Sequence, residues 1–266
     1  MTDTGKYTLE NDLALAIGLA DAADAISRER FKSVDLEIST KPDRTFVTDA
    51  DRAVERAIRD LVTSARPEDA FFGEEYGTAG DARRQWIIDP IDGTANFLRG
   101  VPVWATLISL AIDGVPVVGV VSAPALGKRW WATIGAGAWI QEGTEAPRQI
   151  RVSGVSNLAD ASLSFQSIEQ WDDAGYLDRL ISLTRTVWRD RAYGDMWPYM
   201  MLAEGLIDVV AEFDVKPYDI AALIPIVLEA GGQFTTIDGH DDLAHGSSLA
   251  TNGLLHKSVL DHLNTK

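Results

Sequence analysis

This chain of 266 residues predicts a layered α/β protein, an α+β half over 1–145 followed by an α/β half over 146–266. Three observations point there: helical periodicity opens the chain, valine-rich strand-like runs crowd 103–140, and helical and strand-like segments alternate after 196. The length suits one large unit or two closely joined halves.

In chain order, Leu13, Ile17, Ala20, Ala23 and Ile26 recur at three- and four-residue steps and predict a helix over 9–31. Thr48, with Asp51 three residues on, opens a second helix whose apolar face is Val54, Ile58, Leu61 and Val62; Pro67 stops it. Short apolar runs at 70–72 and 86–88 end directly in acidic residues, as buried strands delivering carboxylates to a sheet edge would. Between 103 and 140 the turn segments Asp113-Gly114 and Gly135-Ala136-Gly137 separate antiparallel strands. The pattern lapses into polar and turn residues at 142–147, where the halves should join. Beyond it, strands at 161–165 and 187–188 bracket a helix. Helix 196–204, strand 207–213, helix 218–230, strand 233–237 and a last helix from Leu254 follow. Pro225 should kink the helix in which it falls.

Composition narrows the function classes. With 46% hydrophobic and 24% charged residues the chain has the makeup of a folded protein. Its 24 basic against 40 acidic residues give a net charge of -16, which repels nucleic acid and anionic membranes, and no basic run offsets it. The absence of cysteine excludes disulfides, thiolate zinc sites, iron–sulfur clusters and cysteine-nucleophile chemistry. A reducing compartment fits that composition, residues 1–11 are polar with no signal pattern, and the expected location is cytoplasmic.

The segment most informative about chemistry is Trp86-Ile87-Ile88-Asp89-Pro90-Ile91-Asp92-Gly93-Thr94, a strand feeding a rigid acidic loop. Pro90 holds Asp89 extended and Gly93 permits a sharp turn, so Asp89 and Asp92 can offer two hard oxygen donors to one cation. Gly93 and Thr94 stand at a helix start, where free N–H groups can bind a phosphate oxygen. A second acidic strand end follows Gly73 as Glu74-Glu75. An acidic protein that handles phosphate needs metal cations at the point of contact.

These residues resemble the inositol monophosphatase superfamily. The motifs are Gly73-Glu74-Glu75, Asp89-Pro90-Ile91-Asp92-Gly93-Thr94 and Pro217-Tyr218-Asp219-Ile220-Ala221-Ala222, with Val47-Thr48-Asp49-Ala50-Asp51 before them and Glu229-Ala230-Gly231-Gly232 after. Tyr218 stands where that family often has tryptophan. The resemblance implies a sugar-phosphatase-like αβαβα sandwich, a magnesium-dependent phosphomonoesterase with two to three ions per site, and a homodimer. It makes Glu74, Asp89, Asp92 and Asp219 magnesium ligands, completed by the Ile91 carbonyl and Asp51. It also has Thr94 and Asp51 position and deprotonate the attacking water, with Glu74 in the same catalytic set. Magnesium's preference for oxygen donors agrees with this ligand set. Asp51 is equally well explained as the third residue of the capping box begun by Thr48, and Asp219 as an acid in a helical first turn after Pro217.

Substrate contacts are expected from the second half, around Arg191-Ala192-Tyr193-Gly194-Asp195, Glu212 and Asp219. Asp195 replaces the small or hydroxyl residue usual in inositol-type enzymes, and an added carboxylate suits an ammonium or imidazolium group. With Trp197 and Tyr199 nearby to contact a ring, the chain resembles the histidinol-phosphate phosphatase branch, which hydrolyses L-histidinol phosphate in histidine biosynthesis. Asp195 as a cap for the helix that follows, with Trp197 in the core, accounts for the same residues. Arg191 can pair with Asp195 or reach the phosphate, and Arg99 can reach it from a partner subunit. Lys41, Glu75 and Asn96 are further candidates.

Other readings of the sequence are an inositol-1-monophosphatase, a phosphatase for another sugar or a nucleotide 3′-phosphate, and an inactive phosphatase-like scaffold. A covalent aspartate at Asp49 lacks the hydrophobic strand and the residue pattern such enzymes need. A calcium hand fails because the twelfth position counted from Asp89 is Gly100, and the four histidines lie near the chain end without acidic metal partners.

Overall fold

Buried hydrophobic strands need cover on both faces, and the computed structural model, which describes residues 7–41 and 45–264, supplies it in five layers. The outermost layer is α1 (Leu9–Arg30) and α2 (Asp49–Ala65), preceded at α2 by the small ladder β1 (Ile38–Thr40) and β2 (Phe46–Thr48). Next is an eight-stranded sheet made of β3 (Ala70–Gly73), β4 (Gly77–Ala79), β5 (Arg84–Asp92), β6 (Ala105–Ile112), β7 (Val115–Ala123), β8 (Lys128–Thr133), β9 (Ala138–Glu142) and β10 (Arg148–Gln149). Its order is β10-β9-β8-β7-β6-β5-β3-β4, with only β3 and β5 parallel. Short α3 (Thr94–Arg99) follows β5.

The central layer holds α6 (Trp197–Ala203), α7 (Pro217–Ile220) and α8 (Leu223–Glu229). Beyond it lies a sheet of β11 (Ser162–Ser164), β12 (Arg189–Arg191), β13 (Val209–Phe213), β14 (Gln233–Thr235) and β15 (Ser247–Thr251) in the order β12-β11-β13-β15-β14. The last layer is α4 (Ile168–Asp173), α5 (Leu177–Thr184) and α9 (His256–Asn264).

Side-chain alternation along the strands feeds the layers. Ile108, Leu110, Val118 and Val120 meet Ala16, Leu19, Val54 and Ile58 of the outer helices. Their neighbours Leu107 and Val121 turn the other way, to Met200, Leu223 and Ile226, and the same cluster reaches Val210 and Ala250 of the second sheet. On the far side Leu163, Val209 and Leu249 meet Trp171, Leu183 and Val259. No helix among the described residues is long and apolar enough to cross a membrane.

Several sequence expectations change. The predicted helix 218–230 is two helices, α7 and α8, broken at Ala221 and Ala222. Pro225 has no N–H for the Ala221 carbonyl four residues back, and the Ser109 hydroxyl donates to that carbonyl instead, at 3.1 Å. The break also lets the Ala222 carbonyl lie against β7, where a Cβ on Gly119 would sit 2.1 Å from it. Ser109→Ala should therefore cost about 1–3 kcal/mol, because it strands a buried carbonyl. A melting temperature equal to wild type would contradict this account of the break.

The single helix expected between 165 and 187 is two, α4 and α5, separated by the positive-φ turn at Gly175. The strand expected at 187–188 begins two residues later as β12. β15 went unanticipated, although it pairs with both β13 and β14. Its serines and threonine mask a fully buried strand whose hydroxyls are satisfied internally, as by Tyr199 on Ser248 and His256 on Thr251.

Candidate active site

The acidic loop is built by an interruption of β5. Asp89 and Asp92 are three residues apart and would face opposite sides of a regular strand, but the pairing register with β6 shifts between them. The Thr106 hydroxyl donates to the Pro90 carbonyl at 2.9 Å, and the Ile91 N–H donates to Asp89 Oδ1 at 3.0 Å, fixing the irregular segment. Asp219 arrives from the other half as the third residue of α7, its carboxylate accepting the Lys216 N–H at 2.7 Å. Oxygen atoms of Asp89, Asp92 and Asp219 lie within 4.8 Å of one another, with Asp89 and Asp92 buried.

Such crowding penalises charge. Burial, then Glu74, Asp92, Asp219 and Asp51, push Asp89 well above the ordinary carboxylate range. Asp92 is raised likewise by burial and then by Asp195 and Asp219. Burial, with Glu74 and Asp195 adding to it, pushes Asp219 up to about 7 against the pull of the Lys216 N–H. Three hard oxygen donors held together against mutual repulsion are the donor set a divalent cation such as magnesium takes.

Glu74 lies at the end of β3, where its carboxylate neighbours Asp89 and pairs with Lys41 Nζ at 2.7 Å. The same ammonium is 2.7 Å from Glu75. Lys41 is thus no free loop lysine but a largely buried counter-charge to both glutamates. Glu55 was not anticipated: fully buried on α2, it accepts the N–H groups of Glu75 at 2.7 Å and Tyr76 at 3.0 Å and so shapes the turn after Glu74. An acid on the apolar stripe of Val54, Ile58 and Val62 was the sequence signal for it.

Asp51 does cap α2, with Oδ2 accepting the Thr48 N–H at 2.8 Å. Its other oxygen, Oδ1, receives the Thr94 hydroxyl at 3.2 Å, so the capping box and the site share one carboxylate. Burial pushes Asp51 up to about 6, opposed by the Thr48 hydrogen bonds. Thr94 is also 3.0 Å from the Ile91 carbonyl. Gly93 precedes α3 with φ 83°, and a Cβ there would meet the Val103 carbonyl at 3.0 Å and Asp195 Oδ2 at 3.3 Å.

A cleft of about 260 Å³ joins Glu74, Asp89, Asp92, Thr94 and Asp219 to Asp195, Glu212, Gln166 and Tyr199, with Asp51 buried behind Thr94. Asp195 is no helix cap: it has φ 53°, and Met196 stands at the N-terminus of α6 with no side-chain cap bond. Burial pushes Asp195 up to about 6. Glu212 is pushed up to about 8 by burial, with Asp195 and Asp219 adding to it, and its Oε2 accepts the Tyr199 hydroxyl at 2.9 Å. Its Oε1 is buried without a hydrogen-bond partner.

Other candidates lie outside the cleft. Arg191 is exposed and donates to the Asp190 carbonyl at 2.6 Å; Asp195 takes its hydrogen bond from Asn96. Arg99 is exposed on α3. Trp197 packs against Tyr193, with ring centroids 5.5 Å apart, and joins the central hydrophobic cluster. Gly194 is buried just before Asp195 with φ 75°. Asp49 pairs with Arg30 at 2.7 Å outside the cleft, which leaves no place for covalent chemistry at that aspartate.

A 260-residue match at 52% identity links this chain to the histidinol-phosphatase of Streptomyces coelicolor, covering 96% of this chain and 98% of the relative. The histidinol-phosphatase of Mycobacterium tuberculosis is 54% identical over 255 residues, covering 96% and 98%. Among solved structures, the extragenic suppressor protein SuhB from Bartonella henselae superposes with a TM-score of 0.87 at 28% identity, over 96% of this chain and 99% of that one. Residues 8–266 match the model of the inositol monophosphatase family, and the chain belongs to that family.

Proposed function

We propose that this chain is a magnesium-dependent phosphomonoesterase that hydrolyses L-histidinol phosphate to L-histidinol and inorganic phosphate. The observation that carries the substrate choice is the pair of acids, Asp195 and Glu212, in the same cleft as the carboxylate cluster, with no arginine or lysine among the described residues that line it. Either acid could accept a polyol hydroxyl, but an ammonium or imidazolium gains a stronger, charge-assisted hydrogen bond from them. The names of the relatives from Streptomyces and Mycobacterium support the same choice.

Asp89, Asp92, Asp219, Glu74 and the Ile91 carbonyl would hold two to three magnesium ions, which when bound neutralise the phosphate oxygens and make water a better nucleophile. The Thr94 hydroxyl and Asp51 Oδ1 would orient that water, and Asp51 accepts its proton. With Oδ2 tied to Thr48, the base keeps one orientation. In-line attack at phosphorus breaks the bond to the ester oxygen, which takes a proton from solvent water and leaves as the alcohol, while Asp51 returns its proton to solvent. The reading includes a homodimer in the cytoplasm; light scattering on the purified protein tests the dimer.

Phosphate release from histidinol phosphate and from inositol 1-phosphate, with magnesium and with chelator, tests the reading. Chelator-sensitive turnover favouring histidinol phosphate is expected; preference for inositol phosphate would remove the substrate assignment alone, and no turnover would favour a scaffold. Asp195→Ser should lower kcat/KM for histidinol phosphate ~10- to 100-fold more than for inositol phosphate, the worth of one charge-assisted hydrogen bond. Equal losses on both would refute cation recognition at this position.

A further inference from the structure

We propose that Asn96 is a positioning residue for substrate recognition: its amide holds the Asp195 carboxylate at the cleft without neutralising it. The inference rests on the reading of Asp195 as the group that meets the substrate's cation. Asn96 is the third residue of α3, directly after the acidic loop, while Asp195 lies in the other half of the chain. The amide nitrogen of Asn96 is 2.8 Å from Asp195 Oδ2 and 2.8 Å from the Val103 carbonyl. Two acceptors fix the orientation of the amide, because the flipped group would set its oxygen against a carbonyl and a carboxylate.

Asp195 lies in a tight turn: its backbone is left-handed at φ 53°, directly after Gly194 at φ 75°, a conformation aspartate tolerates better than most residues. The next N–H, that of Met196, donates to Asp92 Oδ2 at 2.6 Å. Two hydrogen bonds therefore tie this segment to the metal loop, one through the backbone and one through Asn96. An arginine in place of Asn96 would cancel the negative charge that a substrate ammonium seeks; a neutral amide orients the carboxylate and leaves its charge available. With Oδ2 engaged, Oδ1 is the oxygen left to meet the ligand, and none of the described residues is seen donating to it.

The test compares wild type, Asn96→Ala, Asp195→Ala and the double variant, each with saturating magnesium, on histidinol phosphate and on p-nitrophenyl phosphate, which has no cationic group. For Asn96→Ala, KM for histidinol phosphate should rise about tenfold more than KM for p-nitrophenyl phosphate, with the change in KM and not in kcat. In the Asp195→Ala background the same substitution should add nothing to KM for histidinol phosphate. Asn96→Leu, close in volume and without a donor, serves if the alanine variant fails to fold. Equal effects on both substrates, or additive effects in the double variant, would overturn the proposal and leave Asn96 as a brace for Val103. If Asp195→Ala itself spares histidinol phosphate, the underlying substrate reading falls instead.

Discussion

Asp92→Asn should yield a folded protein whose phosphate release, at saturating magnesium, is at least ~1,000-fold below wild type, a loss of about 4 kcal/mol of transition-state stabilisation. The size follows from removing one charge from a cluster whose oxygens lie within 4.8 Å. The fold should survive because an asparagine carbonyl can still accept the Met196 N–H that Asp92 Oδ2 accepts at 2.6 Å. Metal-free, the variant should melt higher than wild type, since Asp92 is buried against Asp195 and Asp219 and its charge there is unfavourable. Retained turnover would remove Asp92 from the metal site. A lower melting temperature would mean that the carboxylate contributes more as an acceptor than it costs as a charge.

Without metal, the wild-type protein should lose at least about 3 kcal/mol of stability, roughly 10 °C or more in melting temperature, between about pH 6.5 and 8.5. Burial raises Asp51 and Asp195 to about 6, Asp219 to about 7 and Glu212 to about 8, all above their unfolded values. Raised acids bind more protons folded than unfolded. Their stabilising contribution is full below the unfolded pKa and is lost as pH rises through the folded one. Asp219 and Glu212 lose their contribution in this window, and Asp89 and Asp92, raised well above the ordinary carboxylate range, add to the loss. His256, pushed down to about 4 by burial, is neutral when folded but half protonated when unfolded near pH 6.5, so it opposes the slope by about 0.4 kcal/mol at the lower edge of the window. Saturating magnesium should raise the melting temperature and flatten the slope, because cations replace protons as the partners of the cluster. Thermal denaturation across that range, with and without chelator, reads both effects; a flat metal-free profile would contradict a buried cluster of like charges.

Several local decisions were legible. Asp113-Gly114 forms the turn between β6 and β7 at positive φ, and Thr48 with Asp51 forms the capping box of α2. Continuous apolar runs such as Trp86-Ile87-Ile88 announced strands covered on both faces. The missed elements share a physical cause. β15 is buried but rich in serine and threonine, so its hydropathy carries no strand signal, and its hydroxyls find partners only when other elements close around it. The two-helix form of 217–229 depends on Ser109 being present to meet the Ala221 carbonyl.

The candidate site divides along the same line. Proline, glycine and acid spacing by themselves determined that Asp89 and Asp92 sit on one rigid loop, and the three motifs carried the family. Only the tertiary structure decided that Asp219 joins that loop, that Lys41 pairs with Glu74 and Glu75, that Asp195 answers to Asn96 rather than Arg191, and that Trp197 packs against the core. Backbone preference and hydrophobic period act over a few residues and can be read from the chain. The partner of a charged side chain is set by where distant segments meet once the layers pack, and no local pattern encodes that distance.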